Sequence, residues 1–460
     1  MGREDMKWQG REPILGIVRT ERLVALASAL AMLGLAGCSG GLPSVADINA
    51  LNPFAEKQVP LPGKRVAVVL SDGATGSIEL AAADRPLTLP PPIQNESWPL
   101  AGGVASHSPG HLALPASIRT AWSSDVGQGS SKLGRLTASP VVADGRVFTL
   151  DAAGLVTALS QTGSVVWRAT LTPEKDKDYK AFGGGLAAEG GRVFVATGHG
   201  IVAALDSQGG KKLWEKNIGS PIRAAPTVGS GRVFVLTTDG RTVALASHDG
   251  AELWVYRGLP ERASLLIGSS PALDGEVVVV PYPSGEVVAL RVESGTGVWS
   301  DSLARTRTAS SLGSMSDAAS PSIDGGTVFA IGHAGRMIAT EAKTGERLWS
   351  VNVPGINTPY VGGNAVYVID TGGQLIAMNR RDGKALWTTR LSGAKTWSGP
   401  LLAGGRLWLT SDTGKLVGVN ATGGKVETEL NIGAPIYIPP IVANGRMFVL
   451  TDKARLVALN

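Results

Sequence analysis

His107 and His111 stand four residues apart, a spacing that on a helix would set two imidazoles on one face and let them share a metal ion. Ser108, Pro109 and Gly110 separate them, and that tripeptide does not build a helix, so a shared metal is not expected. His199 in TGHG and His333 in GHAG fall at equivalent hairpin turns of repeated units, and His248 precedes Asp249-Gly250, another turn. There is no nucleophile elbow, no phosphate loop and no paired-cysteine motif. Acidic residues are abundant but sit mostly in turns such as Asp144-Gly145 and Asp382-Gly383, where a short carboxylate bonds its own backbone. The one cysteine, Cys38, has no partner for an internal disulfide. These residues predict no catalytic, cofactor-binding or metal site, and the chain reads as non-enzymatic.

The elements that carry these residues repeat. Ser139 to Trp167 reads as three short strands and the start of a fourth, with turns at Asp144-Gly145, Gly154 and Thr162-Gly163. The unit closes with a turn glycine, three residues and a tryptophan, at Trp167, Trp214, Trp254, Trp299, Trp349 and Trp387. It opens with a small or polar residue before proline, at Pro140, Pro226, Pro271, Pro321, Pro359, Pro400 and Pro440; the repeat near Leu186 lacks that proline. From Trp122 to Trp387 the tryptophans step by 45, 47, 40, 45, 50 and 38 residues. That period with four strands per unit predicts a β-propeller. The repeat opening at Pro439-Pro440 supplies only three strands before Asn460, and Ile118 to Trp122 is a spare strand with its own tryptophan. The expected fold is therefore all-β, an eight-bladed propeller of four-stranded blades closed by an N-terminal strand. Blade-to-blade wedges are expected at residues 122, 167, 214, 254, 299, 349 and 387, with Glu427 in the slot of the seventh repeat.

With 43% hydrophobic residues and 61 glycines, the chain has enough apolar surface for a large core and many turns. The net charge of +5 lies partly in Arg19 and Arg22. No basic stripe interleaved with aromatics appears, so nucleic acid is not an expected partner.

An apolar run from Leu23 to Leu35 ends in Leu35-Ala36-Gly37-Cys38, which resembles the lipobox of bacterial lipoproteins. The resemblance implies removal of a signal peptide (1–37), acylation of Cys38 and a stable membrane anchor. Ser39 stands where inner-membrane lipoproteins carry Asp, so the resemblance implies the periplasmic face of the outer membrane. Residues 38–95, rich in Pro, Ala and Gly, read as a tether, and 96–460 as the propeller.

Two consecutive connections between blades are long, Trp254 to Pro271 and Trp299 to Pro321. In a propeller they emerge on one face. They carry Leu259, Leu265, Leu266, Ile267, Leu303, Leu312 and Met315 with Arg262 and Asp317 among them, an apolar patch with a charged rim that suits a protein partner. Thr170 to Phe182 is a third long connection, highly charged and expected to be solvated.

The motifs Thr344-Gly345-Glu346-Arg347-Leu348-Trp349 and Asp382-Gly383-Lys384-Ala385-Leu386-Trp387 resemble the tryptophan-docking repeats of quinoprotein-type propellers. One such family, the dehydrogenases that bind pyrroloquinoline quinone and calcium, is the alternative reading; it would require acidic residues and an arginine converging on the central channel. The lipobox and eight repeats together are similar to the BamB family of the outer-membrane β-barrel assembly machinery. That resemblance implies a scaffold without cofactor. It would bind the periplasmic domains of the BamA-type barrel subunit and assist insertion of outer-membrane proteins, whose unfolded chains are a further possible partner. By position it implies partner contacts at Leu265 and Asp317. The arginine that the family places beside the leucine aligns with Leu266, leaving Arg262 to substitute, and Met315 completes the expected patch.

Overall fold

The computed structural model describes residues 86–132, 134–172, 181–259, 268–303 and 318–460. Every helix or strand among them is a β-strand. Eight antiparallel four-stranded sheets form the blades of a propeller. Blade 1 spans 141–170, blade 2 184–217, blade 3 227–257, blade 4 272–302, blade 5 322–351, blade 6 360–390 and blade 7 397–431. Blade 8 takes its inner three strands from 441–459 and its outermost strand from Thr120–Asp125, paired antiparallel with Arg455–Leu459. The spare strand seen in the sequence thus closes the ring. A short parallel pair, Gly134–Arg135 with Ala181–Phe182, lies outside the blades.

Burial explains the strand sequences. The two middle strands of a blade are covered on both faces by its neighbours and read as continuous apolar runs, as in Arg146–Leu150 and Leu155–Ser160. The outermost strand, such as Val165–Thr170, is exposed at every second residue. Inner-strand length follows from the opening proline, which cannot donate to a ladder. Six of the seven blades opened by proline begin with three-residue strands, such as Val141–Ala143 and Ser322–Asp324; in blade 7 the strand Trp397–Ala403 runs through Pro400 with a register shift between Ser398 and Leu401. In blade 2 Leu186 replaces it and pairs with Val195, so the ladder runs on to Gly184.

The blades are joined by their tryptophans. Each indole N–H donates to a carbonyl in the next blade: Trp122 to Gln161 (3.1 Å), Trp167 to Ser207 (3.1 Å), Trp214 to Ser247 (3.1 Å), Trp254 to Val292 (2.9 Å), Trp299 to Ala342 (2.8 Å), Trp349 to Arg380 (2.9 Å) and Trp387 to Ala421 (3.1 Å). The receiving turn carries a glycine under the ring. A Cβ at Gly250 would lie 2.6 Å from Trp214, and one at Gly295 2.6 Å from Trp254; both glycines have positive φ. In six blades the indole also meets an aromatic ring at 5.7 to 6.1 Å, as in Phe234 with Trp254 and Tyr367 with Trp387.

Blade 7 departs from the sequence reading. The residue opposite Gly418 is Thr428, as Trp387 is opposite Ala377 and Trp254 opposite Ala244. Thr428, not Glu427, therefore fills the tryptophan slot, and Glu427 points its carboxylate to Arg406 and Asn420. The reason lies in blade 8. Its outermost strand arrives from Arg119, bonded to Asn460 in both directions, so no hairpin turn exists there to receive an indole. The buried ring of blade 7 sits two strands inward instead, at Trp408, over Gly418.

Residues 93–112 form a belt across the channel at the end where the inner strands turn back. Trp98 exchanges two 2.8 Å backbone bonds with Val142 of blade 1; Pro99 accepts from Ala188, Ala105 from Leu273, Ser106 from Ile323 and Asn95 from Asn444. Leu112 bonds Leu402 and Gly404, the Tyr360 hydroxyl donates to Gly110, and Leu100 packs with Val228. All eight blades are touched.

His107 lies in this belt, buried, at φ 57°, with Nδ1 2.8 Å from the Pro321 carbonyl. Burial lowers its pKa from 6.5 to about 4, against the pull of that bond.

Two predictions follow from this packing. Gly250→Ala and Gly275→Ala both place a side chain at positive φ, but only Gly250 sits under an indole, and nothing lies within 4 Å of a Cβ at Gly275. Gly275→Ala should cost about 1–2 kcal/mol in urea unfolding, and Gly250→Ala about 1–3 kcal/mol more; equal losses would mean that the turn conformation alone demands glycine. The second concerns pH. The unfolded chain takes up a proton on His107 below pH 6.5, whereas the folded chain does so only near pH 4. The stability that neutral His107 contributes is thus present above pH 6.5 and lost as pH falls toward 4, by about 3 kcal/mol. His107→Asn, which tolerates positive φ and keeps an N–H donor, should lose that much less over the same range when urea midpoints are compared.

Candidate binding face and axial cavity

Strand direction assigns the two ends of the ring. Inner strands run from the connection between blades to the first hairpin turn, so all the connections lie on one face, opposite the belt. The described flanks of the two long connections emerge on this face; the sequence-predicted Arg262, Leu265, Leu266, Met315 and Asp317 lie outside the described residues, as does Cys38. The flanks of both long connections are described. The first leaves at Leu259, 61% exposed, and returns at Gly268 in the channel wall. The second leaves from Leu303, which is fully buried as a strand end in the core, and returns at buried Ala318. The returns are stitched together: the Ser269 hydroxyl donates to the Ala318 carbonyl (2.7 Å) and the Ser270 N–H to the Ser320 hydroxyl (2.9 Å). The two connections therefore spring from one hydrogen-bonded base.

Below Leu259 the outermost strand of blade 3, Glu252–Arg257, exposes Leu253 and Val255. The residue after the tryptophan is Val255 here, where the corresponding residues are Arg168, Glu215, Ser300, Ser350 and Thr388 in other blades. Leu253, Val255 and Leu259 make an apolar stripe that leads to the first connection.

The axial channel opens on the same face. A cavity of about 370 Å³ is lined from all eight blades, with Ala101, Gly102 and His107 of the belt as its floor. Its wall is mostly Ala, Ser, Thr and Gly. Thr137, Arg223, Gly268, Ile356, Trp397 and Tyr437 all line it, each three residues ahead of an opening proline. Arg223 is the one charged side chain among the described residues of this wall. A second cavity of about 300 Å³ shares Leu136, Thr137, Arg223 and Tyr437 and adds Ser130, Arg135, Phe182, Gly183 and Asp452. Sequence reasoning did not single out Arg223.

The quinone alternative is tested by this wall. Calcium takes six to eight oxygen ligands, usually with carboxylates among them. The described wall of the axial cavity presents an arginine and no carboxylate, and no group of three or more His, Cys, Asp or Glu among the described residues is placed to hold a metal. The described residues of this wall do not fit a calcium-bound quinone. The two histidines of the belt serve the backbone: beside His107, His111 Nε2 accepts from Gly405 N–H (2.9 Å) while Nδ1 donates to Pro90 (2.8 Å).

Comparison with known proteins agrees with the propeller. A family model described as outer membrane protein assembly factor BamB matches residues 114–178, 152–389 and 371–460. The outer membrane protein assembly factor BamB of Shigella dysenteriae is 38% identical over 205 residues, 43% of this chain and 51% of that protein, so the chain spans about half the length of that relative. Among solved structures, BamB from Moraxella catarrhalis superposes with a TM-score of 0.65 at 18% identity, over 75% of this chain and all of that one. Quinohemoprotein alcohol dehydrogenase from Comamonas testosteroni gives 0.63 at 16% identity, over 79% of this chain and 80% of that one. At such identities the structural likeness is one of fold.

A ligand that binds only the folded state raises its melting temperature. Calcium, or its removal with a chelator, should therefore leave the unfolding midpoint unchanged; a calcium-dependent rise would place a metal site in this protein.

Proposed function

The chain belongs to the BamB family of outer membrane protein assembly factors, and on that premise we propose that it is a non-enzymatic scaffold lipoprotein of the β-barrel assembly machinery. It is anchored through Cys38 on the periplasmic face of the outer membrane. It binds the periplasmic domains of a BamA-type barrel subunit and assists insertion of outer-membrane proteins, with direct capture of their unfolded chains as a secondary role. The observation that carries the reading is the coincidence of the family match, 114–460, with the whole ring of blades. The partner surface is the apolar patch with Leu265, Leu266 and Met315, rimmed by Arg262 and Asp317. The common base at Ser269, Ser270, Ala318 and Ser320 supports treating both connections as one surface, and exposed Leu259 extends it toward blade 3. The dehydrogenase alternative has the propeller in its favour and the channel wall against it.

Affinity capture from detergent-solubilised envelopes, with the lipidated chain as bait, tests role and surface together. The barrel subunit should be recovered by the native chain and lost with Leu265→Asp, Asp317→Lys or Leu259→Asp. Recovery unaffected by all three would move the interface elsewhere. Absence of the subunit, combined with quinone-supported dye reduction, would replace the scaffold reading with the dehydrogenase one.

A further inference from the structure

We infer that the mouth of the axial channel is a binding site for a neutral saccharide, held along the arc of blades 6, 7, 8 and 1. The site is read from the polar groups that the wall leaves unbonded. Asn357, Thr396, Tyr437 and Thr137 line the axial cavity, and each stands just ahead of the inner strand of one of those four consecutive blades. Asn357 is fixed by its Nδ2, which donates to the Trp397 carbonyl at 3.1 Å. Its Oδ1 and the hydroxyls of Thr396, Tyr437 and Thr137 have no partner among the described residues. The opposite arc differs. There the hydroxyls of Ser269 and Ser270 donate to the Ala318 and Ala225 carbonyls, and Arg223 is already engaged within the chain.

These groups choose the ligand class. A ligand hydroxyl both donates and accepts; the threonine and tyrosine oxygens answer it in either sense, and Asn357 Oδ1 accepts from it. An apolar ligand would bury the four groups unbonded, which weakens binding. Arg223 is the one charged side chain in the described wall of this cavity, so on the arc of blades 6 to 1 an ion would lose hydration without meeting a counter-charge. A pyranose meets both demands. Its rim of hydroxyls reaches the polar groups, and its flat face of C–H bonds lies on an aromatic ring. Tyr437 offers that ring, 46% exposed at the mouth.

The shape agrees. The cavity of about 370 Å³ is closed below by the belt at Ala101, Gly102 and His107, so a ligand enters from the face of the connections. That volume lies within the roughly 300–1,000 Å³ of small-molecule sites. A peptide backbone, the other neutral ligand rich in donors and acceptors, presents them in a line. The four groups here come from four blades around an axis and surround a compact ligand instead. The inference does not depend on the assembly role, and its failure would leave that role untouched.

The test is calorimetric titration of the full chain with maltotriose, cellotriose and diacetylchitobiose as neutral saccharides, and with acetyl-tetra-alanine amide as a neutral peptide. At least one saccharide should saturate the protein, and the peptide should not. Tyr437→Ala should weaken that saccharide about tenfold, and Tyr437→Phe, which keeps the ring, should lose less. Thr396→Val, which keeps the shape and removes one hydroxyl, should weaken it about fivefold. Saturation by the peptide, alone or as tightly as by a saccharide, would overturn the saccharide as occupant. Saturation by no probe would overturn the site, as would a saccharide bound equally by the native chain, Tyr437→Ala and Thr396→Val. The comparison of saccharide with peptide uses the native chain, so it decides even if a variant fails to fold.

Discussion

A tryptophan ring laid flat on a β-turn leaves no room for a side chain at that turn. This steric fact organises the protein. Each indole spans from the outermost strand of one blade to the third hairpin of the next, donates its N–H to a carbonyl there and covers a glycine. The glycine needs positive φ for the turn and lacks the Cβ that the ring would strike, so one residue meets two demands. Seven such contacts tie eight blades, and the eighth junction is the one where the chain's two ends meet.

That count shows how the sequence discloses the fold and where it stops. Glycine-to-tryptophan spacing is legible because the contact recurs at fixed offsets in every repeat. Blade 7 misleads because Gly423 and Gly424 are adjacent, and counting forward from the wrong one lands on Glu427 instead of Thr428. Only strand register, set by pairing with Gly418, chooses between them. The belt was not legible, because residues 93–112 bond through backbone groups to six blades and touch the other two through Tyr360 and Leu100, and no periodicity marks such contacts. Arg223 left a trace that sequence reading passed over. The residue three before an opening proline lines the axial cavity in six blades, and only Arg223 among these carries charge. Of the predicted partner residues, the sequence gives the pattern and the structure gives the common base from which both connections rise.

The two ends of the ring divide the labour. At one, the belt bonds inner strands around the full circle and buries His107 in neutral form. At the other, inner strands kept short by proline in six blades leave a mouth walled mostly by small side chains. Blade 2, which lacks the proline, brings Gly183 and Gly184 up against the Arg223 backbone.

The pairing of Thr120–Asp125 with Arg455–Leu459 also sets a clock. No intermediate that lacks either segment can close, and joining ends separated by some 330 residues costs about 5 kcal/mol of loop entropy before any contact repays it. Blades 1 to 7 are made of consecutive hairpins and can form locally in turn. Until the last strand is available, the incomplete circle presents bare sheet faces at its two open flanks. Ring closure is a contact of long sequence separation that local hairpin formation cannot make for itself.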